Sequence, residues 1–206
     1  MVTTLVVGLT FGIVARQAGF APLEIVGLSV IVFAGASQFA MVQLLAAGEG
    51  APLVIATALL INLRHLLMAT SLRAWFAQVP LARRLVLAFF LTDESFAMAT
   101  GWFRRGGHGT AYYATFAISL YVLWNIGTAT GMAVGAAIGE PRRIGIDFAI
   151  TATFIGIVIL SVRRTGDGIV ALAAAAIAAA VALAGAPSIA VITAGVVAPV
   201  IAAARR

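Results

Sequence analysis

Long apolar runs, separated by short breaks that often carry paired arginines, set the pattern of this chain. A membrane-spanning helix needs about 20 mostly apolar residues. Eight segments approach that requirement: Val2–Ala15, Ile25–Ala47, Leu53–Leu72, Leu85–Phe103, Thr110–Ile138, Ile144–Val162, Ile169–Ala184 and Ser188–Ala204. The first is short, ends at Arg16 and has no basic residue ahead of it, so it reads poorly as a signal peptide. The fifth is long enough to tilt or break. Gly185-Ala186-Pro187 parts the last two, and merging them leaves seven. Lipid gives the backbone no hydrogen-bond partner, so the runs are expected to be helices. A barrel would show short alternating strands instead. The predicted fold class is all-α, a polytopic transmembrane helix bundle of seven or eight spans. It is read as a single domain over residues 1–206, with broken helices at mid-membrane.

Composition sharpens this picture. Hydrophobic residues make up 63% of the 206 and charged residues 10%, with a mean hydropathy of +1.11. Soluble domains carry roughly 45–50% apolar and about 25% charged residues. Cysteine is absent, which excludes disulfides and thiolate chemistry. The net charge is +6, and every lysine-or-arginine position is arginine, set between apolar runs as in Arg83-Arg84 and Arg104-Arg105. That placement fits loops flanking spans and not a nucleic-acid interface, which would want a clustered basic face. Six arginines fall on each side of an eight-span arrangement, so the positive-inside rule sets no orientation.

The informative residues are polar ones inside the apolar runs. Gly35-Ala36-Ser37-Gln38 lies in the second, and Asn62, Arg64 and His65 in the third. Thr92-Asp93-Glu94-Ser95 lies in the fourth and Trp124-Asn125 in the fifth. An ionised group at the bilayer centre costs about 2.5–3.5 kcal/mol on insertion scales. Arg64, Asp93 and Glu94 are therefore expected to face one another or a watery cavity. Arg64 is about 200° round a regular helix from Asn62, so either Arg64 serves another helix or the third segment is interrupted. Asp93 and Glu94 point about 100° apart, and both cannot easily hold Arg64. A low dielectric disfavours an ionised carboxylate, which makes the one left over a candidate proton carrier. Gly35-Ala36-Ser37 fits a broken helix that holds a substrate, or close helix packing. Gly127, Gly131, Gly135 and Gly139 form a four-residue repeat that reads as a packing ridge. No HExxH, GxSxG or Walker loop occurs, so the chain is not read as an enzyme, and active transport would draw on a gradient.

Three stretches carry a family resemblance: Val32–Phe39, Asn62–Met68 and Leu91–Ala97. With Trp124, the glycines after it and Gly145–Ala149, they make the chain resemble the AzlC-type branched-chain amino acid exporter family along nearly its whole length. Family members carry further residues ahead of the first span, so the N-terminus is expected to be truncated or misassigned. The resemblance implies proton-driven export of leucine, isoleucine, valine and often methionine across a bacterial inner membrane. It also implies a small AzlD-type subunit of about four spans as partner, and no cofactor.

The expected substrate contacts are Gly35, Ala36, Ser37, Gln38, Asn62, Arg64, His65, Trp124 and Asn125, with Asp93 and Glu94 coupling the proton. The carboxylate would sit near Arg64 or a broken-helix N-terminus, and the ammonium near Asp93 or Glu94. The alternatives are a channel for a small solute and a structural membrane subunit.

Overall fold

A computed structural model describes residues 1–138, 162, 165–186, 189, 190, 193, 194, 197, 198 and 200. The sixth apolar segment apart from Val162, with Asp147, and Gly139 lie outside the described residues. All regular structure among the described residues is helical. The helices are α1 (Val2–Gln17), α2 (Pro22–Gly27), α3 (Gly35–Ala46), α4 (Ala51–Leu72), α5 (Leu81–Phe89), α6 (Asp93–Arg104), α7 (Ala111–Ala137) and α8 (Thr165–Leu183). A π-helical stretch, Leu28–Val32, extends α2. Helices α4 and α7 are each long and apolar enough to cross a membrane.

The chain divides into two compact units. The first comprises residues 1–38 and 62–139, and every sequence-predicted site residue lies in it. Its backbone is the pair α1 and α7. A Cβ added at Gly8 would meet the Trp124 carbonyl, one at Gly12 that of Thr128, and one at Gly131 that of Leu9. Gly127 opposes Leu5, and Gly135 opposes Ile13. Contact numbers rise together along both helices, so they run parallel. The ridge predicted from the glycine repeat is therefore a packing surface, and α1 supplies matching glycines. Small residues let the two backbones close up. The Gln17 side chain donates to the carbonyls of Gly135 and Ile138, satisfying groups the end of α7 would otherwise leave bare.

The fourth apolar segment does not run as one span. Pro80 precedes α5 and cannot extend a helix backward. Helix α5 ends at Phe89, and α6 begins at Asp93 behind the N-cap Thr92. Near one end of α6, Asp93 meets Arg64 of α4; near the other, Phe103 packs on Trp75 and Phe76, just past the end of α4. Helix α6 thus runs alongside the C-terminal half of α4 in the same direction. Helix α5 runs the opposite way: the Tyr113 hydroxyl donates to the Leu87 carbonyl at 3.0 Å, while Phe90 reaches Tyr121, two turns further along α7. The segment is a helical hairpin with its tip at Phe90–Thr92. Its core holds Leu72, Phe76, Leu87, Leu91, Phe103 and Tyr113.

The second unit comprises residues 39–61 and 140–206. Among its described residues, Phe39 and Val42 of α3 and Val54 and Thr57 of α4 are buried. Ala190, Ala194 and Ala198, four apart, are buried too. Gly185 has a φ of +88° and ends the turn after α8, where the sequence placed a break.

Candidate functional site

The second apolar segment is broken at Phe33 and Ala34, just ahead of Gly35-Ala36-Ser37, which open the next helix. Pro22 opens α2 with its φ already set for a helix, and Glu24 accepts from the Ala21 amide at 2.7 Å. The π-helical stretch then leads to Phe33, which sits at φ 39°, ψ 46°. This left-handed conformation costs a non-glycine residue roughly 1–3 kcal/mol. Helix α3 restarts at Gly35. A Cβ at Gly35 would lie 2.9 Å from the Trp124 ring, so the indole lies close over this glycine.

Polar groups crowd this break. The Ser37 hydroxyl, fully buried, donates to the Ala34 carbonyl at 2.9 Å. Gln38 is also fully buried, yet neither atom of its amide has a partner among the described residues. The Trp124 Nε1 is buried and unpartnered as well. An unsatisfied buried polar group costs about 1–3 kcal/mol. Ser29 and Thr128, both buried, bond to each other at 3.1 Å.

The hairpin tip is the other break. Thr92 caps α6 by accepting from the Ser95 amide at 3.3 Å, and Ser95 answers by accepting from the Thr92 amide at 2.8 Å. Asp93 and Glu94 occupy the first turn of α6, where the helix dipole favours negative charge. Arg64 reaches Asp93 at 2.7 Å in an ion pair. Helix α4 is continuous through Arg64, so of the two expected arrangements Arg64 serves another helix. The pair is partly open, with 37% of the Arg64 and 56% of the Asp93 side chain exposed. Glu94 is exposed. His65 Nδ1 lies 3.1 Å from the Asn62 carbonyl within its own helix.

Tyr121 joins the two breaks. Its ring packs on Phe33 at 4.9 Å and on Phe90 at 5.3 Å. Its hydroxyl donates to the Val30 carbonyl at 3.1 Å, within the π-helical stretch that leads to the break. Phe89 bridges Phe33 and Tyr121. Both interruptions thus converge on the middle of α7, one by way of Gly35 under Trp124 and Phe33 on Tyr121, the other by way of Phe90 on Tyr121. Asn125 does not join them through its amide, which donates back to the Tyr121 carbonyl at 2.9 Å. No group of three or more carboxylate or imidazole residues that could hold a metal occurs among the described residues.

Sequence reasoning missed Tyr121, the Thr92–Ser95 cap and the role of α1. The cap had a signal. Thr followed three residues later by a side chain able to bond back, with acids between, marks a helix start.

The model of the family described as AzlC protein matches residues 1–138. The inner membrane protein YgaZ of Escherichia coli is 34% identical over 164 residues, covering 77% of this chain and 67% of that protein. A membrane protein of Archaeoglobus fulgidus is 30% identical over 155 residues, 72% and 65% of the two chains. The branched-chain amino acid transport protein AzlC of Bacillus subtilis is 27% identical over 165 residues, 75% and 61%. The chain spans about two thirds of the length of these relatives. No solved structure matches it.

Proposed function

This chain belongs to the AzlC family, and on that premise we propose that it is a secondary exporter of branched-chain and similar apolar amino acids, coupled to protons, in a bacterial inner membrane. The substrate class comes from the name of the Bacillus subtilis relative. The membrane setting agrees with the names of the relatives and with the two helices long enough to cross. The chain is read as one transport domain in which α5 and α6 dip in and return, working with a small AzlD-type membrane subunit.

The observation that carries this reading is the convergence of two helix breaks on Tyr121, one of which holds a buried amide with no partner among the described residues. Discontinuous helices supply backbone groups at mid-membrane for a zwitterion to bind. Arg64 is the cation for the carboxylate, assisted by the start of α3. Gln38 and Trp124 offer further polar contacts, and Phe33 borders the apolar side chain. Asp93 is already engaged by Arg64 and fixes that guanidinium. Glu94 is then the carboxylate free to take either the substrate ammonium or a proton. Because the two compete for one group, a proton that binds expels the amino acid, which is the exchange an antiporter needs.

The test is flux of labelled leucine in liposomes containing both subunits, with and without a pH gradient. Gradient-stimulated leucine accumulation is expected. Absence of leucine flux in either condition contradicts the substrate, and flux indifferent to Glu94→Gln contradicts the coupling role.

A further inference from the structure

A second feature lies away from the breaks, between the end of α4 and the start of α5. A cavity of about 210 Å³ opens there. Its inner wall is apolar, formed by Leu72, Phe76, Leu87 and Leu91, and its polar elements include Arg73 and Arg84. The Arg84 Nε is buried and has no partner among the described residues. Arg83 stands beside it, exposed and outside the cavity lining. No acidic residue occurs between Glu49 and Asp93 in the sequence, so three arginines share this corner without a carboxylate nearby along the chain. The rim is greasy: Leu81 and Leu85, which also line the cavity, are 63% and 64% exposed.

A site for a soluble anion would not ring its mouth with exposed leucines. In a membrane protein such a rim faces acyl chains, and the end of a crossing helix such as α4 places the arginines at headgroup depth. Basic pockets between helices at that depth suit anionic lipid headgroups. We propose that this cavity binds one anionic phospholipid, its phosphate on Arg73 and Arg84 and an acyl chain along Leu72, Leu85 and Leu91. Leu91 belongs to the hairpin tip that precedes Asp93. A lipid seated there braces the hairpin from below and ties the position of the tip to the composition of the bilayer. This inference needs only a membrane location and does not depend on which solute is carried.

The experiment titrates the purified protein in detergent with palmitoyl-oleoyl phosphatidylglycerol or the matching phosphatidylcholine and follows thermal unfolding. At about 1 kcal/mol per arginine near an anionic headgroup, two contacts predict stabilisation at roughly thirty-fold lower concentration of the anionic lipid. Arg73→Gln with Arg84→Gln removes the preference, whereas Arg83→Gln retains it. Glycerol 3-phosphate, which lacks the chains, has no effect. Native mass spectrometry of the unsubstituted protein supplies an independent reading should the double variant fail to fold, and one phosphatidylglycerol is expected to persist on it. Equal potency of the two lipids overturns the proposal. So does an equal loss in Arg83→Gln, which would mean diffuse surface charge. Stabilisation by leucine that requires Arg73 and Arg84 would also overturn it, because the cavity would then belong to the cargo.

Discussion

The two helix breaks that meet at Tyr121 are built in opposite ways. The break before α6 caps its own backbone, although Arg64 Nε and Asn62 Oδ1 beside it are buried with no partner among the described residues. Thr92 and Ser95 cap each other, the acids lie in the first turn, and Arg64 neutralises Asp93. The break before α3 does not. Phe33 is held left-handed, and the Gln38 amide is buried without a partner among the described residues. The Trp124 Nε1 is likewise without one. Unsatisfied buried groups and strained backbone persist only where the surrounding structure or a ligand compensates. On the proposed reading, the contrast gives different duties to the two ends of one site. The self-capped end is a rigid electrostatic post, and the unsatisfied end is where bound cargo would complete the hydrogen bonding.

Three substitutions separate these duties. The largest expected effect is that of Arg64→Gln, which removes the charge from the post. Leucine flux should fall at least about thirty-fold, the worth of a charge-assisted bond of roughly 2 kcal/mol. Flux in liposomes containing both subunits measures it, with size exclusion as the check on folding. Near-normal flux would mean that the post holds helices and not substrate.

Gln38→Leu comes next and cuts both ways. Removing an unsatisfied amide should stabilise the substrate-free protein, by about 1–3 kcal/mol, while lowering flux. Thermal unfolding and flux measured on the same preparation read both. A variant that loses stability instead would show that Gln38 is part of the scaffold, and the contrast between the breaks would collapse. The smallest effect is that of Thr92→Ala, which removes a cap worth about 1 kcal/mol. It should lower thermal stability while leaving the affinity for leucine close to that of the parent.

Much of this arrangement was legible before the structure. Apolar run length located α4 and α7, and the glycine repeat identified a packing face. Gly35-Ala36-Ser37 fitted either a broken helix or close packing, and the helix is interrupted just ahead of it, at Phe33 and Ala34. The fourth segment was misread for a physical reason. Hydropathy sums composition and is blind to direction, so a hairpin of two half-length helices resembles one span. The clue lay in the local chemistry of Thr92 and Ser95, not in hydrophobicity. Tyr121 was invisible because its role comes from three distant rings and one carbonyl, none of them near it in sequence. A pairing of Arg64 with Asp93 or Glu94 was anticipated from the cost of isolated charges, but not which of the two, nor its partial exposure, since charge counting carries no information about which face of a bundle a pair occupies.

The central claim is that cargo binds at the break between Phe33 and Gly35. The chain has three tryptophans, and Trp124 is the one lying over Gly35. Replacing Trp75 and Trp102 with phenylalanine leaves its emission as a direct report of that break. The account predicts a saturable change in emission on adding leucine, absent in Gln38→Leu. Unchanged emission in a protein that still transports leucine would place the cargo elsewhere.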